Sequence, residues 1–378
     1  MDGFASEKPV QIVKLATSGH PPHDTRIFHK EAKTLAEAGY LVTYIVPRGD
    51  TNQTETVDGV TLVPVRYPRG GAEKLLITPL RILRQALRFS RRAIIHLHDS
   101  ELLFIGLTLR LLGRRVIYDA HEDTPLQISY QHWIPAWLKP LYQAVYFALE
   151  KAAGRWFQRI IVAEPVIERH FPPGKTTLLR NFPIIAPFRT ATQHPPPRLN
   201  QVLYIGSVTE VRGFREMMAA CERANQHQPF TFIIAGSFHP ASLEAEFKRA
   251  QNTRFLGRLS LDQVAALNAE SKVGLIVPHP ITRYKTNYPV KLFEYWAAGL
   301  PVVASEHGEI AKFVEQCQGG IVVNPLDARA ISDAIVYLLT HEDEARAMGQ
   351  RGQQMVFEQY SWEVERPKLL ALYAPFGA

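Results

Sequence analysis

The sequence predicts an α/β protein whose chain folds as two halves, each on a parallel sheet. Three observations carry that expectation. Val10–Ala16 (VQIVKLA) is a strand-length apolar run, followed by a loop, a stretch of helical period and a second apolar run at Leu41–Val46. Strand, helix, strand in that order builds a parallel sheet. The same order restarts at Gln201–Ile205, and between the two lies Asn181–Asn200, rich in proline and with little periodicity. Such a stretch reads as an interdomain linker. With 378 residues the chain is long enough for two domains that each bury a core. The expected bounds are 1–185, with a last helix at 360–378 packing back on it, a linker at 186–200, and 201–359.

Composition narrows the class. Hydrophobic content of 46% and charged content of 21% are those of a globular protein. Cys221 and Cys317 give neither a disulfide framework nor metal-ligand spacing, so a cytoplasmic setting is expected and no cofactor is called for. The N-terminus is polar through Pro9, unlike a secretory signal, and the most apolar stretch, Leu102–Leu112, is broken by Arg110 and too short to span a bilayer. The net charge of +7 is uneven: residues 1–198 carry +9 and residues 199–378 carry −2. The basic half suggests an anionic partner on that side. The pI of about 9.3 alone would admit a nucleic-acid binder, but no recognition motif accompanies it.

In the first half, the loop after Val10–Ala16 runs Thr17-Ser18-Gly19-His20-Pro21-Pro22-His23. A helix from near Asp24 to Ala38 follows, with Ile27, Phe28, Glu31 and Leu35 at helical spacing and Gly39 as its stop. The loop falls at a strand's carboxyl end, where parallel sheets bind ligands. It contains no G-x-G-x-x-G, which argues against a dinucleotide dehydrogenase. Pro79–Arg92 reads as a basic helix with Arg81, Arg84, Arg88, Arg91 and Arg92 within roughly 100° of arc. That face is either simply solvated or a contact for anionic lipid headgroups. Two strand ends then deliver histidine with a carboxylate, His98-Asp99 after Ile94 and Ala120-His121-Glu122-Asp123 after Val116–Asp119. Arg159–Ala163 and Thr177–Leu179 are the last strands expected in this half.

In the second half, a loop at Gly206–Arg212 and a helix at Gly213–Ala224 follow the first strand. Phe230–Ala235, Arg254–Leu256, Lys272–Val277 and Ile321–Val323 are further strands. The stretch around which the chain is organised is Lys285–Ala304 (KTNYPVKLFEYWAAGLPVVA). Asn287 is a candidate cap, Pro289 suits a first helical turn, and Val290, Phe293 and Ala297 share a core-facing side. Gly299 and Pro301 end the helix, and Val302-Val303-Ala304 is a buried strand. Lys291 and Glu294 share another face. They form either an ordinary surface ion pair or, at a helix N-terminus, a site for a phosphate and a hydroxyl-bearing group such as ribose.

KLFEYWAAGLPVVAS resembles the donor-site helix of retaining, family 4-type glycosyltransferases with the GT-B fold. GHPPHDTRIFHKEAKTLAEAGYLVT, RRVIYDAHEDTPLQI, LYIGSVTEVRGFREMMAA and the tail SWEVERPKLLALY are similar to other signatures of the same family, so the resemblance covers nearly the whole chain. It implies two Rossmann-like domains with parallel sheets facing an interdomain cleft, the nucleotide-sugar donor bound in the second domain and the acceptor in the first. Within it, Glu294 holds the ribose and the turn Pro289-Val290-Lys291 faces the diphosphate. Arg212, the basic residue before a glycine, grips the distal phosphate, with Gly206 opening that loop. Gly257, Arg258 and Leu259 fall where the nucleotide base lies, and Gly19 sits under the donor phosphates. Asp24 and Arg26 are expected to pair with each other and hold that loop. His121 reaches the transferred sugar, Glu122 ranks second on the acceptor side, and His98, also on that side, reads better as structural. The aromatic run from Tyr130 to Phe157 packs as helices bordering the acceptor. Two positions depart from the family's pattern: Thr286 stands where the first Glu of its E-x7-E pair belongs, and Ser207 where a second basic residue is common.

The reaction implied is transfer of a sugar from a nucleoside diphosphate to an acceptor hydroxyl with retention, in polysaccharide or glycolipid assembly. No D-x-D motif is present, so no metal is required, and Arg212, Lys291 and a helix N-terminus would neutralise the leaving group. The implied setting is cytoplasmic, with peripheral attachment to the inner face of a membrane through the arginines of 79–92. Two rivals stand: a sugar-nucleotide epimerase on the same fold, and a non-catalytic binding subunit, which Thr286 and Ser207 motivate.

Overall fold

The computed structural model describes residues 10–17, 19–48, 53–69, 73, 77–130, 134–286 and 288–376. The cap expected at Asn287 lies outside the described residues, as do Ser18 of the first loop and 131–133 of the aromatic run. The chain forms two compact units, Met1–Asn181 with Glu365–Ala378, and Phe182–Val364.

The first unit is built on eight strands: β1 (Gln11–Leu15), β2 (Leu41–Arg48), β3 (Glu55–Val57), β4 (Val60–Arg66), β5 (Ile94–Leu97), β6 (Arg115–Ala120), β7 (Arg159–Val162) and β8 (Thr176–Leu178). Their order is β3-β4-β2-β1-β5-β6-β7-β8, parallel throughout except for the β3–β4 hairpin. That hairpin turns through Asp58-Gly59, both with positive φ, a two-residue turn whose twist suits the flanking strands. Alternation divides the sheet. Val13, Leu15, Ile95, Leu97, Val116 and Tyr118 join one apolar core. The opposite face carries Lys14, in register with His96, and at alternate positions His98, Asp119 and His121. The sheet order reverses between β1 and β5, so these residues stand at a topological switch point.

The second unit has six parallel strands: β9 (Gln201–Val208), β10 (Thr231–Phe238), β11 (Thr253–Phe255), β12 (Val273–Ile276), β13 (Val302–Ser305) and β14 (Gly320–Val323), in the order β11-β10-β9-β12-β13-β14. Both faces are apolar, as a sheet covered by helices on each side requires: Val202 and Tyr204 enter one core and Leu203 and Ile233 the other. Here the order reverses between β9 and β12.

Three expectations need correction. The stretch 186–200 is not irregular linker: it contains the helix Ala186–Gln193, which has proline in its first turn and buries Phe188 completely in the second unit's core. The helix expected over Pro79–Arg92 is Thr78–Ala86. Buried Arg114 donates to the carbonyls of Leu87 and Phe89 beyond the helix end, and the Ser90 hydroxyl takes the Arg92 N–H in a turn. Arg88, Arg91 and Arg92 therefore lie beyond the helix rather than along one face, and Arg81 pairs with Glu73 at 2.6 Å. The helix after the first loop is wound in two parts, a π-helical stretch at Thr25–Ala32 and an α-helix at Lys33–Glu37. The wide i→i+5 winding brings Arg26 and Glu31 face to face at 3.1 Å.

Candidate functional site

In the second unit, the site grows from the carboxyl end of β9. Gly206 has φ of +121°, a backbone shape that calls for glycine, and a Cβ there would come 3.1 Å from the Lys291 ammonium. Lys291 lies in the first turn of the helix Val290–Ala297, whose cap position is held by Pro289, a residue with no side chain to bond the first N–H groups. Those amides and the positive end of the helix are available to an anion. The ammonium sits 3.8 Å from the centre of the Tyr204 ring, a cation–π contact. Burial, and then the charge of Arg212, push it well below the usual lysine value. Among the described residues no carboxylate lies at ion-pair distance from it, so the simple pair with Glu294 is not formed.

Arg212 arrives from a 3-10 turn, Glu210–Arg212. Its Nη1 donates to the Ser207 carbonyl at 2.9 Å and its Nε to the Tyr284 hydroxyl at 3.3 Å. The Tyr204 hydroxyl donates to the same carbonyl at 2.9 Å. Ser207 thus serves through its backbone, anchoring the guanidinium. Glu294 is half-buried one turn after Lys291, and its own carbonyl accepts from Asn268 at 3.2 Å. Thr286 ends the short helix Thr282–Thr286. Gly257 has φ of +66° and its carbonyl accepts from the Gly236 amide at 2.6 Å; Arg258 is exposed, and Leu259 packs against the core. The structure brings Gly206, Arg212, Pro289, Val290 and Lys291 together, two cations beside a helix N-terminus.

In the first unit, His121 follows β6. Its Nε2 lies 2.8 Å from Asp119 Oδ2, and its side chain is 16% exposed, whereas Asp119 is fully buried. Arg26 donates to both oxygens of Asp119 at 2.9 Å. The pairing expected between Asp24 and Arg26 is therefore absent: Asp24 instead caps the helix through the amides of Arg26 and Ile27, and faces His20. His20, on the loop next to Gly19, sits between Asp24 at 3.1 Å and Asp99 at 3.2 Å. Burial alone would lower its pKa, but hydrogen bonds to the two carboxylates outweigh it and hold the imidazolium up to about 10. Gly19 is exposed, and a Cβ there would meet only ordinary contacts. Glu122 is exposed; His98 is interior, which gives it the structural role rather than an acceptor-facing one.

Behind His121 the polar face continues inward. The Lys14 Nζ is 2.8 Å from Glu31 Oε2 and 3.0 Å from both His96 Nδ1 and His98 Nε2. Glu31, His96, His98 and Asp119 offer ligand atoms within 4.8 Å of one another, a donor set of the kind that could hold a divalent metal.

Residues 25–181 match the glycosyl transferase 4-like domain, and residues 200–341 match glycosyl transferases group 1. The chain belongs to this glycosyltransferase family. A glycogen synthase from Mycobacterium tuberculosis is 24% identical over 200 residues, 51% of this chain and 47% of that protein. The matched region thus spans about half the length of that relative. An MMP alpha-(1->4)-mannosyltransferase from Mycolicibacterium hassiacum is 21% identical over 299 residues, covering 73% of this chain and 69% of its own. Among solved structures, a sucrose-phosphate synthase from Thermosynechococcus elongatus aligns with a TM-score of 0.74 at 20% identity over 97% of this chain and 98% of its own. The Anabaena protein HepE in complex with UDP-glucose aligns at 0.68 and 14% identity over 97% and 99%. These likenesses establish the GT-B architecture, two Rossmann-like units with parallel sheets.

Several residues of these two clusters escape a reading of motifs. Tyr204, inside an apolar strand, and Tyr284, in a short polar helix, bear on Lys291 and Arg212, and no motif singles either out. Lys14 left a signal, a charged residue in mid-strand of VQIVKLA, as did the alternation of His96 with His98 and of Asp119 with His121.

Proposed function

We propose that this protein transfers a sugar from a nucleoside-diphosphate sugar to an acceptor hydroxyl, with retention of anomeric configuration. The observation that carries the reading is the pair of cations, Lys291 and Arg212, set beside glycine and the N-terminus of the helix Val290–Ala297 at the second unit's switch point. Such a site suits a diphosphate. In the reaction the bond from the anomeric carbon to the diphosphate oxygen breaks and one to the acceptor oxygen forms. The acceptor's proton passes to the leaving phosphate, so no separate general base is invoked. Lys291, Arg212 and the helix end stabilise the charge that develops on the leaving group, which makes bridging by a metal unnecessary. Glu294 holds the ribose and His121 touches the transferred sugar. HepE has been solved with UDP-glucose, which makes uridine nucleotides the first donors to try. Release of nucleoside diphosphate from a panel of nucleotide sugars, with and without glycan and glycolipid acceptors, tests the proposal. Acceptor-dependent release supports it; conversion of the nucleotide sugar alone would mark an epimerase, and no turnover a binding subunit.

A lipid-linked acceptor, and peripheral attachment at the inner face of a membrane, is part of the same proposal. Among the described residues no helix is long and apolar enough to cross a membrane. Arg84, Arg88, Arg91 and Arg92 are exposed, and a shallow depression elsewhere in this unit is lined by Arg110, Leu111, Arg155 and Trp156. Basic side chains together with exposed apolar ones suit an anionic headgroup layer.

A further inference from the structure

Lys14 is wholly buried at the centre of the first unit's polar face, together with Glu31, His96 and Asp119. Burying a charged group costs several kcal/mol unless partners compensate, and here each partner is in place. β1 and β5 hold Lys14 and His96 in register, and His98 follows two residues later on the same face. The π-helical stretch supplies Glu31, and the last helix, Trp362–Tyr373, brings the Tyr373 hydroxyl to 2.6 Å from His96 Nδ1. Burial pushes Lys14 down and Glu31 up. In either protonation state Nζ keeps an N–H group to give to His98.

This fixes a tautomer. His98 Nε2 accepts from Lys14, so His98 carries its proton on Nδ1, which faces Asp119 Oδ2 at 3.5 Å and His121 Nε2 at 3.4 Å. Asp119, already gripped by Arg26, then takes the His121 Nε2–H at 2.8 Å. We propose that the Lys14 amino group occupies the place a divalent metal would take among Glu31, His96, His98 and Asp119, and that Lys14 is a positioning residue for His121, acting through His98 and Asp119. The role of His121 toward sugar rests on the transferase reading; the arrangement of the network does not.

The test uses the full chain labelled with 15N at histidine, whose long-range 1H–15N correlations report tautomers without any substrate. In the wild type His98 should be the Nδ1–H form and His121 the Nε2–H form. Lys14→Met, close in length, should shift His98 toward the Nε2–H form and change the His121 signals. Lys14→Ala, which vacates the centre, should take up one Co2+ per chain with visible absorption of a four-coordinate site, whereas the wild type should take up none. An Nε2–H tautomer at His98 in the wild type overturns the proposal whether or not either variant folds. So do stoichiometric Co2+ uptake by the wild type, unchanged His98 and His121 signals in folded Lys14→Met, or no Co2+ binding by folded Lys14→Ala. Failure of the wild type to bind or turn over nucleotide sugars would count against the transferase reading alone.

Discussion

Replacing Lys291 by Met separates binding from folding, because the two should move in opposite directions. The ammonium is buried against Gly206 and the Tyr204 ring, repelled by Arg212, and has no ion-pair partner among the described residues. Its desolvation is therefore a cost to the folded state, one that a bound diphosphate would relieve. A hydrogen bond to a charged group contributes about 1.5–3 kcal/mol, so the loss of one should weaken UDP or GDP roughly 10- to 150-fold. Met preserves the aliphatic stem and its packing and removes the buried charge, so the melting temperature should hold or rise. The sign with pH follows from the lowered pKa. The penalty is complete below the folded value and vanishes as pH climbs toward the ordinary lysine value, where the unfolded chain also loses the proton. Wild type should thus gain stability on the variant over that alkaline window. Calorimetric titration with each nucleotide, and urea melts across pH, measure both quantities. Unchanged nucleotide affinity in a folded Lys291→Met protein would refute the assignment of the diphosphate site.

Further outcomes follow from other residues. Glu294→Gln keeps size but removes charge, and should weaken nucleoside diphosphate roughly 10- to 100-fold with little change in melting temperature; a loss of stability with unchanged affinity would return Glu294 to a structural role. His121→Ala should reduce turnover far more than UDP binding, and equal losses in both would indicate a structural histidine. His20→Gln should destabilise most in acid: the folded pKa of about 10 lies above the ordinary 6.5, so the stabilisation is complete below that lower value and is lost as pH rises to the upper one. Urea midpoints that differ equally from wild type at both ends of the window would contradict this. Replacing Arg84, Arg88 and Arg91 with Ser should weaken binding to vesicles rich in phosphatidylserine by about 1 kcal/mol per residue at low salt, leaving UDP affinity intact; wild type that ignores such vesicles removes the membrane proposal.

What could be read in the sequence was what local spacing controls. The six strands of the second sheet, six of the eight in the first, the helix carrying Lys291 and its stop at Gly299 follow from apolar runs, period and punctuation, and appear within a few residues of their expected bounds, whereas the hairpin strands β3 and β4 were not anticipated. The basic helix was read too long because its end is set by Arg114, a residue from the approach to β6 that no local pattern links to Leu87. The stretch 186–200 was read as linker because its prolines dominate, yet Pro187 opens a helix whose Phe188 is drawn into a core assembled from distant strands. The same limit governs the sites. Lys291 and Arg212 stand out in the sequence because each lies in a contiguous signature, while Tyr204 and Tyr284 meet them only through the fold. At His121 the sequence pointed to the strand end but not to the chain of partners behind it. Asp119 is held by Arg26 across 93 positions, and His98 by Lys14 across 84. Parallel pairing of β1, β5 and β6 makes those separations short. A lone lysine in an apolar strand, with histidine and aspartate at alternate positions at the ends of β5 and β6, was the visible sign that polar partners meet on that face.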